Sequence, residues 1–286
     1  MAEPTLFPES GFRRLRIDLA YDGTEFFGWA RQPDRRSVQE EIEEVLSRIL
    51  KCDANVVVAG RTDAGVHASA QVIHVDIPDT SFEELDYKDI IYKLNRILND
   101  DVRILDITDA PEGFHARFSA LRRYYRYKII DGNRPIPPIH RADIAPWYRE
   151  LDLALLNEAS SHLLGHHDFA AFCKFKVGGT TIRTLEKFEW VRGSDGILVA
   201  DVVADAFCYS MVRNLVGAVV SVADGRRSME WLENLLANRE RVADSMVFPS
   251  RGLTLYRVDY PADSELLERA KITVAKRTFS DLSEEK

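Results

Sequence analysis

A chain of 286 residues, 45% hydrophobic and 29% charged, is long enough to bury its own core in one large or two ordinary domains. Its net charge of −8 and pI near 5.5 argue against a protein that coats nucleic acid by bulk electrostatics, while leaving room for RNA in a local groove. Cys52, Cys173 and Cys208 lie at no metal-ligand spacing and indicate neither a disulfide framework nor a zinc site, and no apolar run approaches the ~18 residues of a membrane span, so a reducing, cytoplasmic setting is expected.

Arg14 to Ala20 alternates as a strand, with Leu15, Ile17 and Leu19 on one face. Tyr21 to Thr24 then turns. Ser37 with Glu40 reads as a capping box ahead of a helix whose apolar stripe is Val38, Ile42, Val45, Leu46, Ile49 and Leu50. Val56 to Ala59 ends a strand and Gln71 to Asp76 begins the next. A helix is expected over Leu85 to Leu98, with Ile90, Leu94, Ile97 and Leu98 inward, and a strand over Val102 to Ile107. Arg122 to Ile129 forms a further strand, placing Arg123, Tyr125, Tyr127 and Ile129 on one face and Tyr124, Arg126 and Lys128 on the other.

Asp131 to Pro138 stacks turn formers and prolines, which predicts a boundary between an N-terminal half, 1–132, and a C-terminal half, 133–286. Beyond it the pattern predicts a helix over Asp152 to Leu164, strands over Leu185 to Val191 and Ile197 to Val203, and a helix over Phe207 to Ala223. A short helix over Met229 to Leu236, a strand over Leu253 to Tyr260 and a surface helix over Ser264 to Lys276 complete it. The class is mixed α+β with antiparallel-friendly connections.

Chemistry concentrates in the loop Gly60-Arg61-Thr62-Asp63-Ala64-Gly65-Val66-His67. Its glycines permit positive φ, and Arg61 and Thr62 supply donors beside the Asp63 carboxylate; a plain surface turn shares this composition. Arg213 lies on an apolar helix, where a cation needs an anionic partner or an exposed edge. The β-strand arginines and tyrosines can stack a base and neutralise phosphates, or can form a core face. Clusters at Arg13, Arg14 and Arg16, at Arg35 and Arg36, at Arg122 to Lys128, and at Lys174 and Lys176 suit a phosphate-binding face on an acidic body, or ordinary solvated charge. His162, His166 and His167 lack the glutamate of a zinc-protease helix, and no phosphate-loop or dinucleotide motif occurs.

These segments together resemble the TruA family of tRNA pseudouridine synthases. The likeness rests on Tyr21-Asp22-Gly23-Thr24 with Phe27-Gly28-Trp29 and Gln32-Pro33; the Gly60 to Ala68 block; Phe114 to Ala120; Arg123 with Tyr125 to Tyr127; Asp168-Phe169 with Phe172; Met211 to Gly217; and Gly252-Leu253. It implies two fused ferredoxin-like halves in one continuous, mostly antiparallel sheet, with helices on one face and the active-site cleft on the other. It also implies Asp63 as catalytic nucleophile, Tyr125 stacking on the base and serving as candidate proton acceptor, and Arg213 pairing with the aspartate. Arg61 would help displace the nucleotide, Leu253 pack beside the base, and Arg123 and Arg126 contact RNA. No cofactor or metal is implied. The substrate would be tRNA, at uridines of the anticodon stem-loop about positions 38 to 40 that must be flipped from their stack, acted on by a homodimer. Phe207-Cys208-Tyr209-Ser210 and the Lys174 to Thr181 loop depart from the pattern. A hydrolase with an aspartate nucleophile, and a non-catalytic RNA-binding protein, are the competing classes.

Overall fold

A computed structural model describes residues 6–79, 86–174, 180–238 and 246–274. The protein is mixed α+β and forms two compact units, one from residues 6–121 with 255–274, the other from 122–254. In the first, β1 (Phe12–Tyr21), α1 (Val38–Leu50), β2 (Val56–Val58), β3 (His67–Pro78), α2 (Tyr87–Ile97) and β4 (Val102–Asp109) follow the β-α-β-β-α-β order of a ferredoxin-like half. β1 runs antiparallel between β3 and β4, and β2 pairs with the far side of β3.

The periodicities explain this packing. Leu15, Ile17 and Leu19 of β1 are fully buried, and so are Val38, Ile42, Leu46 and Leu50 of α1, spaced four apart on one helix face. Each such side chain contributes about 1.5 to 3 kcal/mol of burial. Two local expectations fail. Ser37 occupies the N-cap of α1 and is buried, but its hydroxyl makes no capping bond. Ile97 is 40% exposed, since α2 ends there and the chain leaves the helix face; Ile90 and Leu94 are its buried residues. Asp86 caps α2 by accepting from the amides of Lys88 and Asp89; Leu85 lies outside the described residues.

The second unit comprises β5 (Arg122–Ile130), β6 (Ala145–Pro146), α3 (Leu153–Ser161), β7 (Gly165–Asp168), β8 (Ile182–Arg192), β9 (Leu198–Ala204), α4 (Met211–Ala223) and α5 (Met229–Asn238). Antiparallel pairing orders its strands β5-β9-β8-β7, and β6 lies parallel to β5. The alternation in β5 holds: Arg123, Tyr125, Tyr127 and Ile129 are buried. Its other cations meet acids, Arg122 with Glu186, Arg126 with Asp201 at 3.0 Å and Lys128 with Asp143 at 2.6 Å. Asp131 lies inside this unit, buried, gripped by both terminal nitrogens of Arg192 at 2.8 Å and by Arg134. Burial pushes its carboxyl up, but those arginines and the Leu151 amide overcome this and hold it down at about 2.

The helix α4 starts four residues later than expected. Ser210 takes a left-handed conformation, φ 62°, and Phe207 to Tyr209 run outside the helix. There Cys208 is joined to Cys173 in a disulfide, contrary to the sequence expectation; the two cysteines are 35 residues apart and meet only because a short 3-10 turn, Ala170–Phe172, packs beside α4. β10 (Leu253–Asp259) and α6 (Leu266–Val274) follow. From Leu255 onward they belong to the first unit, where Leu266 joins Ala59, Val72, Phe114 and Ala116 in one apolar cluster.

Candidate active site

Asp63 stands on the β2–β3 connection of the first unit, partly exposed between exposed Arg61 and Ala64. The backbone around it is pinned from several sides. The Trp29 amide donates to the Thr62 carbonyl (3.0 Å), the Gly65 amide to the Phe26 carbonyl (3.1 Å), and the Val66 amide to the Asp63 carbonyl (3.2 Å). The Tyr21 hydroxyl meets the Thr62 hydroxyl at 2.8 Å. Gln71, fully buried, donates to that tyrosine oxygen at 3.1 Å and to the Gly60 carbonyl at 2.9 Å. Burial raises the Tyr21 hydroxyl to about 12, against the opposing hydrogen bonds of Thr62 and Gln71, so it remains a neutral brace.

Gly28 makes this possible. At φ +99° a Cβ would sit 2.9 Å from the Thr62 carbonyl oxygen and 3.2 Å from the Asp63 carbonyl carbon, so only glycine lets the two loops touch through their backbones. Of the glycines flanking Asp63, Gly65 has positive φ, whereas Gly60 does not and faces open space. His67 is buried and accepts from the Gly23 amide through Nδ1 (3.1 Å), with Asp22 beside it at 3.0 Å. The ring thereby braces the turn at Gly23 against the start of β3. Burial drives the Asp22 carboxyl up, but the Thr24 hydroxyl and amide and His67 outweigh it and hold it below the usual carboxylate range. Arg61 and Arg117 act on each other electrostatically, so two exposed arginines border the loop. Arg117 and Gln71 were not singled out from sequence. A polar residue at a core-facing position of an apolar strand was the available signal for Gln71.

The second unit holds the other candidates. Tyr125 on β5 is 7% exposed and meets Phe207 edge-on, ring centroids 5.0 Å apart. Arg123, on the same strand face, donates to the Asp205 carbonyl at 2.7 Å; Arg126 points to the opposite face and Asp201. Arg213, on the first turn of α4, is partly buried and donates from Nε to the Phe248 carbonyl at 2.8 Å, while the Phe248 amide donates to the Arg213 carbonyl at 3.1 Å. This approach depends on Gly217, where a Cβ would fall 1.8 Å from the Met246 carbonyl oxygen. Leu253 is buried where β10 begins, next to Gly252, which rests on Lys128 and the Tyr127 ring. Tyr125, Arg213 and Leu253 thus share one unit, and Asp63 and Arg61 the other.

The clustered histidines His162, His166 and His167 take separate partners: His162 meets Glu233 (2.8 Å), His166 meets the Thr184 hydroxyl (2.9 Å), and His167 meets the Leu164 carbonyl (2.8 Å). Among the described residues no group of three or more His, Cys, Asp or Glu side chains is arranged to hold a metal, and no helix is long and apolar enough to cross a membrane.

Comparison with known proteins adds a family. Residues 19–119 and 159–261 match the model of a family described as tRNA pseudouridine synthase. The chain is 47% identical over 268 residues to tRNA pseudouridine synthase A of Frankia casuarinae, covering 93% of this chain and 96% of that protein. It is 48% identical to the protein of the same name from Streptomyces griseus, covering 92% and 93%, and 46% identical to that of Mycobacterium leprae, covering 91% and 94%.

Proposed function

Because the chain belongs to the tRNA pseudouridine synthase family, we propose that it converts uridine to pseudouridine in the anticodon stem-loop of tRNA, at about positions 38 to 40, with the target base flipped out of its stack. It is an isomerase. The bond from C1′ to N1 breaks, the uracil turns, C5 joins C1′, the C5 proton leaves and N1 takes one up. Nothing is oxidised and no water is consumed.

Asp63 acts as the nucleophile, attacking C1′ or C6, or as the base that takes the C2′ proton. Arg213 is its cationic partner. Tyr125 stacks on the uracil and accepts the C5 proton, Leu253 packs beside the base, and Arg61 fills the vacated stack, while Arg123 and Arg126 serve RNA binding. The observation that carries the reading is the setting of Asp63, a partly exposed carboxylate on a loop whose neighbours on both sides are fixed by backbone bonds. Such preorganisation is what a nucleophile needs. The enzyme works as a homodimer in the cytoplasm.

The test is to incubate unmodified tRNA with the wild type and with Asp63→Asn, then map pseudouridine by site. The wild type should modify the anticodon stem-loop and the variant should not. RNA cleavage or mere retention by the wild type, without pseudouridine, would sink the proposal. Full activity of Asp63→Asn would remove Asp63 from its role.

A further inference from the structure

Two neighbouring aromatics of the first unit each carry an arginine. The Arg36 guanidinium lies 4.1 Å from the centroid of Phe26, and that of Arg35 lies 4.4 Å from the centroid of Phe27. The pairs differ in everything else. Phe26 is buried, and Arg36 is locked by Asp101 (2.6 and 2.8 Å) and Glu41 (2.8 Å), which makes that stack part of the scaffold. Phe27 is 46% exposed, Arg35 is exposed, and among the described residues Arg35 has no carboxylate partner.

The exposed stack is nevertheless built. The Phe27 amide donates to the Arg36 carbonyl at 2.9 Å, and Gln32 Nε2 donates to the Phe27 carbonyl at 2.8 Å. A turn closed by a bridge between Gln32 and Arg35, with Asp34 at φ 55°, sets the arginine over the ring. The next residue is Gly28, whose backbone lies against Thr62 and Asp63. An exposed π face one residue from the backbone contact with the proposed nucleophile, under a cation unneutralised by protein, has the two features that receive single-stranded RNA: a stacking surface and a charge for phosphate.

We infer that the Phe27–Arg35 stack binds a base of the tRNA flanking the target uridine, with Arg35 meeting the adjoining phosphate. The inference rests on the proposed RNA-modifying function. Its test is the Kd for an unmodified tRNA transcript over a range of salt, alongside pseudouridine formation by the same proteins. Phe27→Leu should weaken binding about ten-fold while Phe27→Trp stays within about two-fold of wild type. Arg35→Gln should reduce the slope of log Kd against log salt by about 0.7 to 0.9. Leu binding like the wild type, Leu and Trp weakened equally, or an unchanged slope for Arg35→Gln would each overturn the stack. A wild type that makes no pseudouridine, yet shows these binding effects, would instead overturn the enzymatic reading and leave the RNA stack standing.

Discussion

Arg213 and Phe248 hold each other twice: the guanidinium Nε donates to the Phe248 carbonyl at 2.8 Å, and the Phe248 amide donates to the Arg213 carbonyl at 3.1 Å. The direction of the guanidinium fork is therefore set by main chain. Lysine has no second nitrogen with which to keep that bond while presenting its charge elsewhere. Arg213→Ala and Arg213→Lys should both lower single-turnover pseudouridine formation by about 100-fold or more while tRNA affinity changes less than about three-fold. Stopped-time rate measurements set against filter binding check this; unchanged turnover would refute the proposed partnership with Asp63.

Tyr125 is 7% exposed and edge-on to Phe207, so Tyr125→Phe keeps the ring and removes only the hydroxyl. If that hydroxyl accepts the C5 proton, turnover falls about 100-fold with little change in KM. A solvent exchange assay on 5-tritiated uridine in tRNA reads the step directly, and release at the wild-type rate would assign the proton to another group.

Gly28→Ala should destabilise the first unit by about 1 to 3 kcal/mol, because alanine meets both a positive φ and the Thr62 carbonyl. Gly60→Ala, with neither obstacle, should stay within about 0.5 kcal/mol. Urea unfolding of the two variants side by side decides the matter. Equal midpoints would mean that the loops do not depend on this contact.

His74 and His115 form a buried pair, ring centroids 4.7 Å apart. Burial, then the Arg14 charge, lowers His74 to about 2 and His115 to about 4. Both stay neutral when folded, and each uses Nδ1 as an acceptor, His74 for the Ala116 amide and His115 for those of Arg117 and Phe118. Unfolding frees them to protonate near pH 6.5. Their contribution is therefore complete above pH 6.5 and is lost as pH falls, by about 1.4 kcal/mol per pH unit for each until the folded value is reached. Stability measured by denaturant at pH 7, 6 and 5 should fall on this account. His115→Asn, which retains the acceptor, should flatten the slope by one group's share.

Periodicity sufficed for most of the scaffold. The four-residue stripe of α1 and the two-residue alternation of β5 reappear as buried faces because each element has a single apolar side to hide. What sequence spacing could not reach was pairing across the fold. Arg14 is 62 residues from Asp76, yet they meet through two bonds of 2.7 and 2.8 Å; Arg36 is 65 from Asp101. Clusters that read as an RNA-facing surface are in good part internal ion pairs, which leaves Arg35 as the exception in its cluster. The late start of α4 follows from Ser210, since nothing in Phe207 to Ser210 announces a left-handed residue. The motif singles out Asp63 as a candidate, whereas the bracing of its loop by Gln71 and Tyr21 is visible only once the sheet brings them together.

The bonds that clamp the Asp63 loop also bear on how RNA binding is felt thermodynamically. Amides of Trp29, Gly65 and Val66 are all engaged, so in deuterium oxide they should exchange with the slow kinetics of a strand and open only with the body of the first unit. A carboxylate carried by such a segment has little chain entropy left to lose when substrate arrives. If the proposed encounter takes place at this loop, its ordering cost falls on the tRNA, whose target base must leave its stack, and the temperature dependence of binding should report the stiffness of the RNA more than that of the protein.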